Sequence, residues 1–186
     1  MKEVPEIIDS FPATQAACLH SVRQTLLALV PGAVEDTTWG MPTLRVDNKV
    51  LLSFRGFSHH NSLFPGREVQ DLLGSALLPY TTTKGTIHCD IHTPPPKTFV
   101  KAVVAARIRV INTSFPKQSG EFLSFYSTGF VKGRCRYTND QMHGAWEFFR
   151  KDGTPLRSGS FRLGVQTGPW ITYSPDGSPY KTTNVT

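Results

Sequence analysis

The sequence is poor in cysteine: three in 186 residues, Cys18, Cys89 and Cys135, widely separated and odd in number. A disulfide-stapled scaffold needs clustered pairs, so that class is excluded and reduced, buried thiols are expected. Long apolar runs are missing as well. The longest, Leu26 to Val30, falls far short of the roughly 18 residues that a membrane-spanning helix requires, and the first residues, Met1 to Glu6, lack a signal-peptide core. A cytoplasmic location is expected. Nor is there a phosphate-binding glycine loop, a nucleophile elbow, a zinc-protease helix or a Cys-x-x-Cys pair. A binding protein is therefore expected rather than an enzyme, with a small-molecule enzyme as an alternative.

Positive charge is present, and it is uneven. Residues 1–112 hold eleven Lys and Arg against nine Asp and Glu, whereas residues 113–186 hold nine against five, within a net charge of +6. The shorter segment carries more of the excess, which favours encounters with anionic surfaces. No clustered basic motif of a nucleic-acid reader accompanies it, so nucleic acid is not an expected partner.

The feature that organises the chain is a repeat of twenty-four residues. Gly120 aligns with Gly144 and Gly168, Phe122 with Trp146 and Trp170, Phe125 with Phe149 and Tyr173, and Gly129 with Gly153 and Gly177. A fixed period of this length marks a stacked-unit architecture. Asp152-Gly153 and Asp176-Gly177 are two-residue hairpin signals, with Thr128-Gly129 in the first copy. Each unit is thus expected to be one β-hairpin, with return strands over Phe130–Tyr137, Pro155–Phe161 and Ser178–Val185, and with aromatics stacking between neighbouring hairpins. The expected organisation is an α+β domain over 1–112, a linker over 113–119 and three all-β hairpin repeats over 120–186.

In the first part, apolar residues recur at helical spacing from Pro12 to Val30 (Cys18, Val22, Leu26, Leu29, Val30) and again over Lys97–Val110 (Phe99, Val100, Val103, Val104, Ile108). Between them, strand character appears over Thr37–Trp39, Thr43–Val46, Lys49–Phe54, His60–Phe64 and Gly85–Ile91, with a short helix over Arg67–Leu73. That order implies helices on one face of a largely antiparallel sheet. Trp39-Gly40-Met41-Pro42, His60 to Gly66, Tyr80 to Ile87 and Arg107 in the closing helix together resemble the YdhG-like domain family, over residues 4 to 110. The resemblance implies a compact α+β domain, and for some members a role as a frataxin-like intracellular iron chaperone. The Gly-x-Trp-x-x-Tyr hairpins resemble the variant MORN repeats of YwqK-type antitoxins over residues 120 to about 182. That resemblance implies a scaffold for protein or lipid association, without catalytic residues.

Three groups of residues are candidates for chemistry. Trp39, Met41, His60, Phe64, Tyr80 and Lys84 could line one concavity for a small ligand, or form a satisfied edge of the core. On a strand, His88, Asp90 and His92 would project from one face, a ligand set that suits iron or zinc. Residues two apart on a strand are separated by roughly 6.6 Å, so convergence needs a bend in the strand or a neighbour, with His59 or His60 as a fourth ligand; an exposed polar face is the alternative. No other cofactor is called for. Lys132, Arg134 and Arg136 alternate along one return strand, either as charge guarding a strand edge or as a stripe for an anionic partner such as acidic protein or lipid headgroups. Three copies is the lower limit for a free-standing array, so docking on another protein or on a second copy of the chain is expected.

Overall fold

The structure, a computed structural model, describes residues 3–115 and 117–185, and the chain divides into two compact units, Met1–Val110 and Ile111–Thr186. The first opens with helices α1 (Val4–Asp9) and α2 (Ala13–Leu29). Pro12 stands at the N-cap of α2, where a missing N–H leaves no helix bond unmade. Cys18, Leu19, Val22 and Leu26 are buried along one seam of that helix. Six strands follow: β1 (Val34–Thr38), β2 (Met41–Val46), β3 (Lys49–Gly56), β4 (Asn61–Phe64), β5 (Thr81–Thr83) and β6 (Thr86–Cys89). They form one antiparallel sheet in the order β1-β2-β3-β4-β6-β5. Helix α3 (Arg67–Leu73) and a 3-10 turn (Gly74–Leu77) join β4 to β5. Helix α4 (Lys97–Thr113) closes the unit, burying Phe99, Val100, Val103, Val104 and Ile108 as its spacing predicts.

Several details differ from expectation. The strand expected over Thr37–Trp39 runs over Val34–Thr38 and leaves Trp39 in the turn that follows. The strand expected over Gly85–Ile91 ends at Cys89, because the Asp90 carboxylate turns back and accepts the N–H groups of His92 and Thr93 at 2.8 and 2.7 Å. Strand β5 is a run of three exposed threonines without apolar alternation. Helix α4 runs three residues beyond Val110, and its last turn belongs to the second unit.

Cross-strand pairs sort the two faces of this sheet. Phe54, Leu63 and Ile87 lie side by side on one, followed by Gly56, Asn61 and Cys89. Arg55, Ser62, His88 and Thr81 make a row on the other, beside Thr43, Ser53 and Phe64. Asn61 locks the first face to α2. Its side-chain oxygen accepts from Gln15 Nε2 at 2.9 Å, and its Nδ2 donates to the Asp90 carbonyl at 3.0 Å and to Cys18 Sγ at 3.4 Å.

The second unit is a six-stranded antiparallel meander: β7 (Gly120–Phe125), β8 (Val131–Thr138), β9 (Gln141–Phe149), β10 (Pro155–Arg162), β11 (Val165–Tyr173) and β12 (Pro179–Val185). Each repeat is one hairpin, but its tip is not a two-residue turn. Gly153 N–H donates to the Arg150 carbonyl at 3.0 Å and Arg150 N–H to the Thr154 carbonyl at 2.8 Å, which encloses three residues and puts Gly153 at φ +87°. Asp152 keeps a negative φ, and its carboxylate accepts both the N–H and the hydroxyl of Thr154. Two-residue turns with positive φ at both positions occur instead between the repeats, at Asn139-Asp140 and Leu163-Gly164.

The leading glycine of each repeat has its own task. At Gly168 (φ +65°) the pairing of β10 with β11 jumps, from Ser158↔Ile171 to Ser160↔Thr167, so two extra residues bulge on β11. The Trp170 ring then lies flat on Gly159, where an added Cβ would come within 2.3 Å of the indole. One repeat earlier, Gly144 (φ +75°) makes the same jump and Cys135 occupies the position of Gly159. Rings then alternate across the sheet: Phe122 to Tyr137 at 5.4 Å, Tyr137 to Trp146 at 5.8 Å, Trp146 to Phe161 at 5.1 Å and Phe161 to Trp170 at 5.2 Å. The first aromatic column is interleaved with return-strand rings, each contact contributing about 0.5–1.5 kcal/mol beyond burial. The column of Phe125, Phe149 and Tyr173 lies outside this ladder. Its carbonyls serve as ties, with Tyr126 Oη donating to Phe149 O at 2.9 Å and, one period on, Arg150 Nη2 donating to Tyr173 O at 2.6 Å.

Candidate functional site

The first candidate group is divided by strand order. Trp39 and Gly40 form the β1–β2 turn and Lys84 and Gly85 the β5–β6 turn, and the registers put these turns at opposite ends of opposite sheet edges. The expected single concavity is thus corrected: Trp39 and Lys84 share no site. Trp39 stands 87% exposed at φ +51°, in a turn conformation that glycine or asparagine adopts more readily. Met41 begins β2 beside that turn, paired with Thr38. Tyr80 stacks on Phe99 of α4 at 4.0 Å, and burial pushes its hydroxyl pKa up. The Lys84-Gly85 turn is tied to α3, since Gln70 donates to the carbonyls of Thr83 and Thr86 and accepts the Gly85 N–H.

What does assemble is a histidine stack on the polar face of the first sheet. His60 lies between Phe57 (5.1 Å) and His88 (4.1 Å, rings 16° apart), Phe64 meets the edge of Phe57 at 6.4 Å, and the Arg55 guanidinium sits 5.9 Å from the Phe57 ring. Burial, with the imidazoles of His88 and His59, lowers the His60 pKa below the ordinary histidine value. Asp90 lies past the strand end, engaged with backbone N–H groups that hold its carboxyl below the usual range, and His92 lies further along the same turn. Among the described residues no three His, Cys, Asp or Glu come close enough to hold a metal ion, so the expected set of His88, Asp90, His92 and His60 does not converge.

The thiols are no more available. Cys18, Cys89 and Cys135 are buried, and desolvation pushes Cys89 and Cys135 up to about 12, leaving no thiolate at neutral pH.

In the second unit, Lys132, Arg134 and Arg136 alternate as exposed residues with buried Gly133 and Cys135. They do not guard an edge. Strand β8 is interior, paired with β7 and β9, so that expectation is corrected. Arg136 faces Glu121 and Arg134 faces Glu147 across the strands, and Lys132 Nζ lies 5.9 Å from the Tyr126 ring. Arg162 is exposed on the side of β10 opposite buried Phe161. This face therefore carries four cations against two carboxylates. Sequence reasoning found the triplet by its alternation and missed Arg162, which lies two strands away.

The fold of the chain is similar to that of a Bacillus subtilis protein of the DUF1801 family, YdhG, with a TM-score of 0.54 at 13% identity, covering 56% of this chain and 87% of that one. At such identity the likeness concerns the fold alone, an α+β domain of YdhG type, which a second, all-antiparallel six-stranded sheet follows here. No family model and no curated protein matches the sequence. Among the described residues no helix is long and apolar enough to cross a membrane.

Proposed function

We propose that this chain is a non-enzymatic binding protein in which MORN-like repeats engage an acidic partner protein, while the first domain offers a small-ligand surface around His60, Phe64 and His88. One observation carries the reading: three exposed cations on an interior strand, where protection of an edge is not needed. Cations held on a rigid sheet at a two-residue spacing match carboxylates on a partner strand or helix and speed its approach. Arg162 extends the patch along the same face. Against the iron-chaperone alternative, no ligand set converges among the described residues, and against an enzyme built on Trp39, His60 and Lys84, the strand order separates Trp39 from Lys84.

The test uses poly-glutamate as the acidic probe. Co-elution with the full chain at low salt, lost in a Lys132→Ser/Arg134→Ser/Arg136→Ser variant of unchanged thermal midpoint, is the expected result. Equal retention by the variant, or preference for anionic lipid vesicles over poly-glutamate, would overturn it.

A further inference from the structure

In the repeat sheet, each return strand carries one residue that the pairing leaves out. Phe125 pairs with Val131 and Ser124 with Gly133, which leaves Lys132 over. Phe149 pairs with Pro155 and Phe148 with Arg157, which leaves Leu156; Tyr173 pairs with Pro179 and Thr172 with Lys181, which leaves Tyr180. These β-bulges recur every twenty-four residues, and a bulge re-aims the side chain it carries. All three residues are exposed, Leu156 at 40% and Tyr180 at 75%.

The registers place this row on the basic face. Arg134, Glu147, Ser158, Ile171 and Thr182 lie side by side across β8 to β12, and so share one face. Lys132, Leu156 and Tyr180 each stand two residues earlier on their strands, hence on that same face. Between them come Phe149 on β9, two residues after Glu147, and Tyr173 on β11, whose hydroxyl lies 2.9 Å from that of Ser158. Both rings are half-buried. From β8 to β12 the hairpin-tip end of the face therefore presents Lys132, Phe149, Leu156, Tyr173 and Tyr180, one cation followed by an apolar and aromatic strip.

Spacing selects the form of ligand. The bulged residues lie two strands apart, about 9.5 Å from one to the next. An α-helix has no same-face repeat of that length, since four residues advance about 6 Å and seven about 10.5 Å. A polyproline II helix has three residues per turn and advances about 9.3 Å over them, so every third side chain meets the next bulge. We propose that Lys132, Leu156 and Tyr180 bind a polyproline-type segment of the acidic partner, laid across the strands, with an acidic residue against Lys132 and apolar residues three and six positions away against Leu156 and Tyr180. This rests on the reading of the repeats as a binder of acidic protein and adds the conformation and spacing of the segment bound. Proline-rich segments dock on aromatic-lined grooves at low ordering cost, because their shape is set beforehand. Phe149 and Tyr173 supply the lining, and Lys132 fixes the direction of the chain.

The test measures fluorescence anisotropy of the labelled peptide Asp-Pro-Pro-Leu-Pro-Pro-Leu, and of its reverse sequence, against the full chain. One of the two directions is expected to bind saturably. The same composition with the spacing broken, Asp-Leu-Leu-Pro-Pro-Pro-Pro, is expected to bind at least about fivefold more weakly, and Leu156→Ser and Tyr180→Ser to weaken the better peptide by a similar factor at unchanged thermal midpoint. Poly-glutamate retention should be indifferent to Tyr180→Ser. Equal binding of the spaced and broken peptides, or full binding by Tyr180→Ser, overturns the proposal while poly-glutamate retention leaves the acidic-partner reading standing; loss of both peptide and poly-glutamate overturns the two together. Should a variant fail to fold, the spaced-against-broken comparison on the unaltered chain decides alone.

Discussion

Both units place a glycine where a side chain must lie directly on a strand, but they set different side chains there. In the first, an added Cβ on Gly56 would meet the Gln15 amide at 2.6 Å and the Phe11 ring at 2.9 Å, so a polar group enters the helix–sheet interface. In the second, the counterpart is Gly159 and the group is the whole Trp170 indole. The first core is consequently pinned by a few long-range hydrogen bonds from Gln15, Asn61 and Gln70. The repeat sheet relies on contiguous ring contacts and on ties that recur with its period. The side-chain bonds of the first unit each occur once, whereas the ring contacts of the second and its carbonyl ties recur along the chain.

Removing the ring at the end of the ladder should have the largest effect. Trp170→Ala leaves a cavity over Gly159 and is expected to cost about 3–5 kcal/mol, read as a lower urea midpoint of the near-ultraviolet signal. Next comes the polar tie of the first unit: Asn61→Ala removes one of the two acceptors of the Gln15 amide and the amide donor to the Asp90 carbonyl, and should cost about 2 kcal/mol in the same assay. If Asn61→Ala proves the more damaging of the two, the contrast between ring-held and bond-held units is wrong. A smaller effect of opposite sign is expected at Leu163. That residue is half exposed at φ +49°, so Leu163→Asn relieves left-handed strain and should stabilise by about 0.5–1 kcal/mol, visible as a higher thermal midpoint.

The smallest effect separates the units by pH. The folded state holds the His60 pKa below that of the unfolded chain, so as pH falls through about 6.5 the unfolded chain takes up the proton first. Stability contributed by neutral His60 is full above that pH and declines below it, levelling once the folded His60 is protonated. His60→Phe should flatten the decline between about pH 7 and 5 in urea titrations; an unchanged slope would remove the His60–His88 stack as its cause.

Much of the fold was legible because local periodicity and tertiary burial agree. The seam Cys18, Val22, Leu26 and the stripe Phe99 to Ile108 are buried as their spacing predicts, and the short helix Arg67–Leu73 falls where it was expected. Strand β5 was not legible, because Thr81 to Thr83 carry no apolar alternation and are recruited by β6 and Gln70. Hairpin tips were misread because Asp-Gly also suits a three-residue loop, in which the aspartate caps the following hydroxyl residue.

The candidate site was less legible, for a non-local reason. Whether Trp39, His60 and Lys84 meet depends on β6 inserting between β4 and β5, which no short-range pattern encodes. His60 and His88 lie far apart in sequence, and their residue types suggest a shared ion; the structure stacks their rings instead.

The Asn112 side chain gives the repeat array a direction. It donates to and accepts from the outward-facing backbone of Phe125 at 3.1 and 2.8 Å, as a neighbouring strand would, and so closes the leading edge of the sheet. Tyr126 and Arg150 each reach forward to the hairpin that follows, whereas Ser174, the next residue in that column, is too short to do so. Lengthening by duplication is therefore compatible with the trailing side only, where another twenty-four-residue module could be grafted behind β12 once Ser174→Arg supplied the missing clasp.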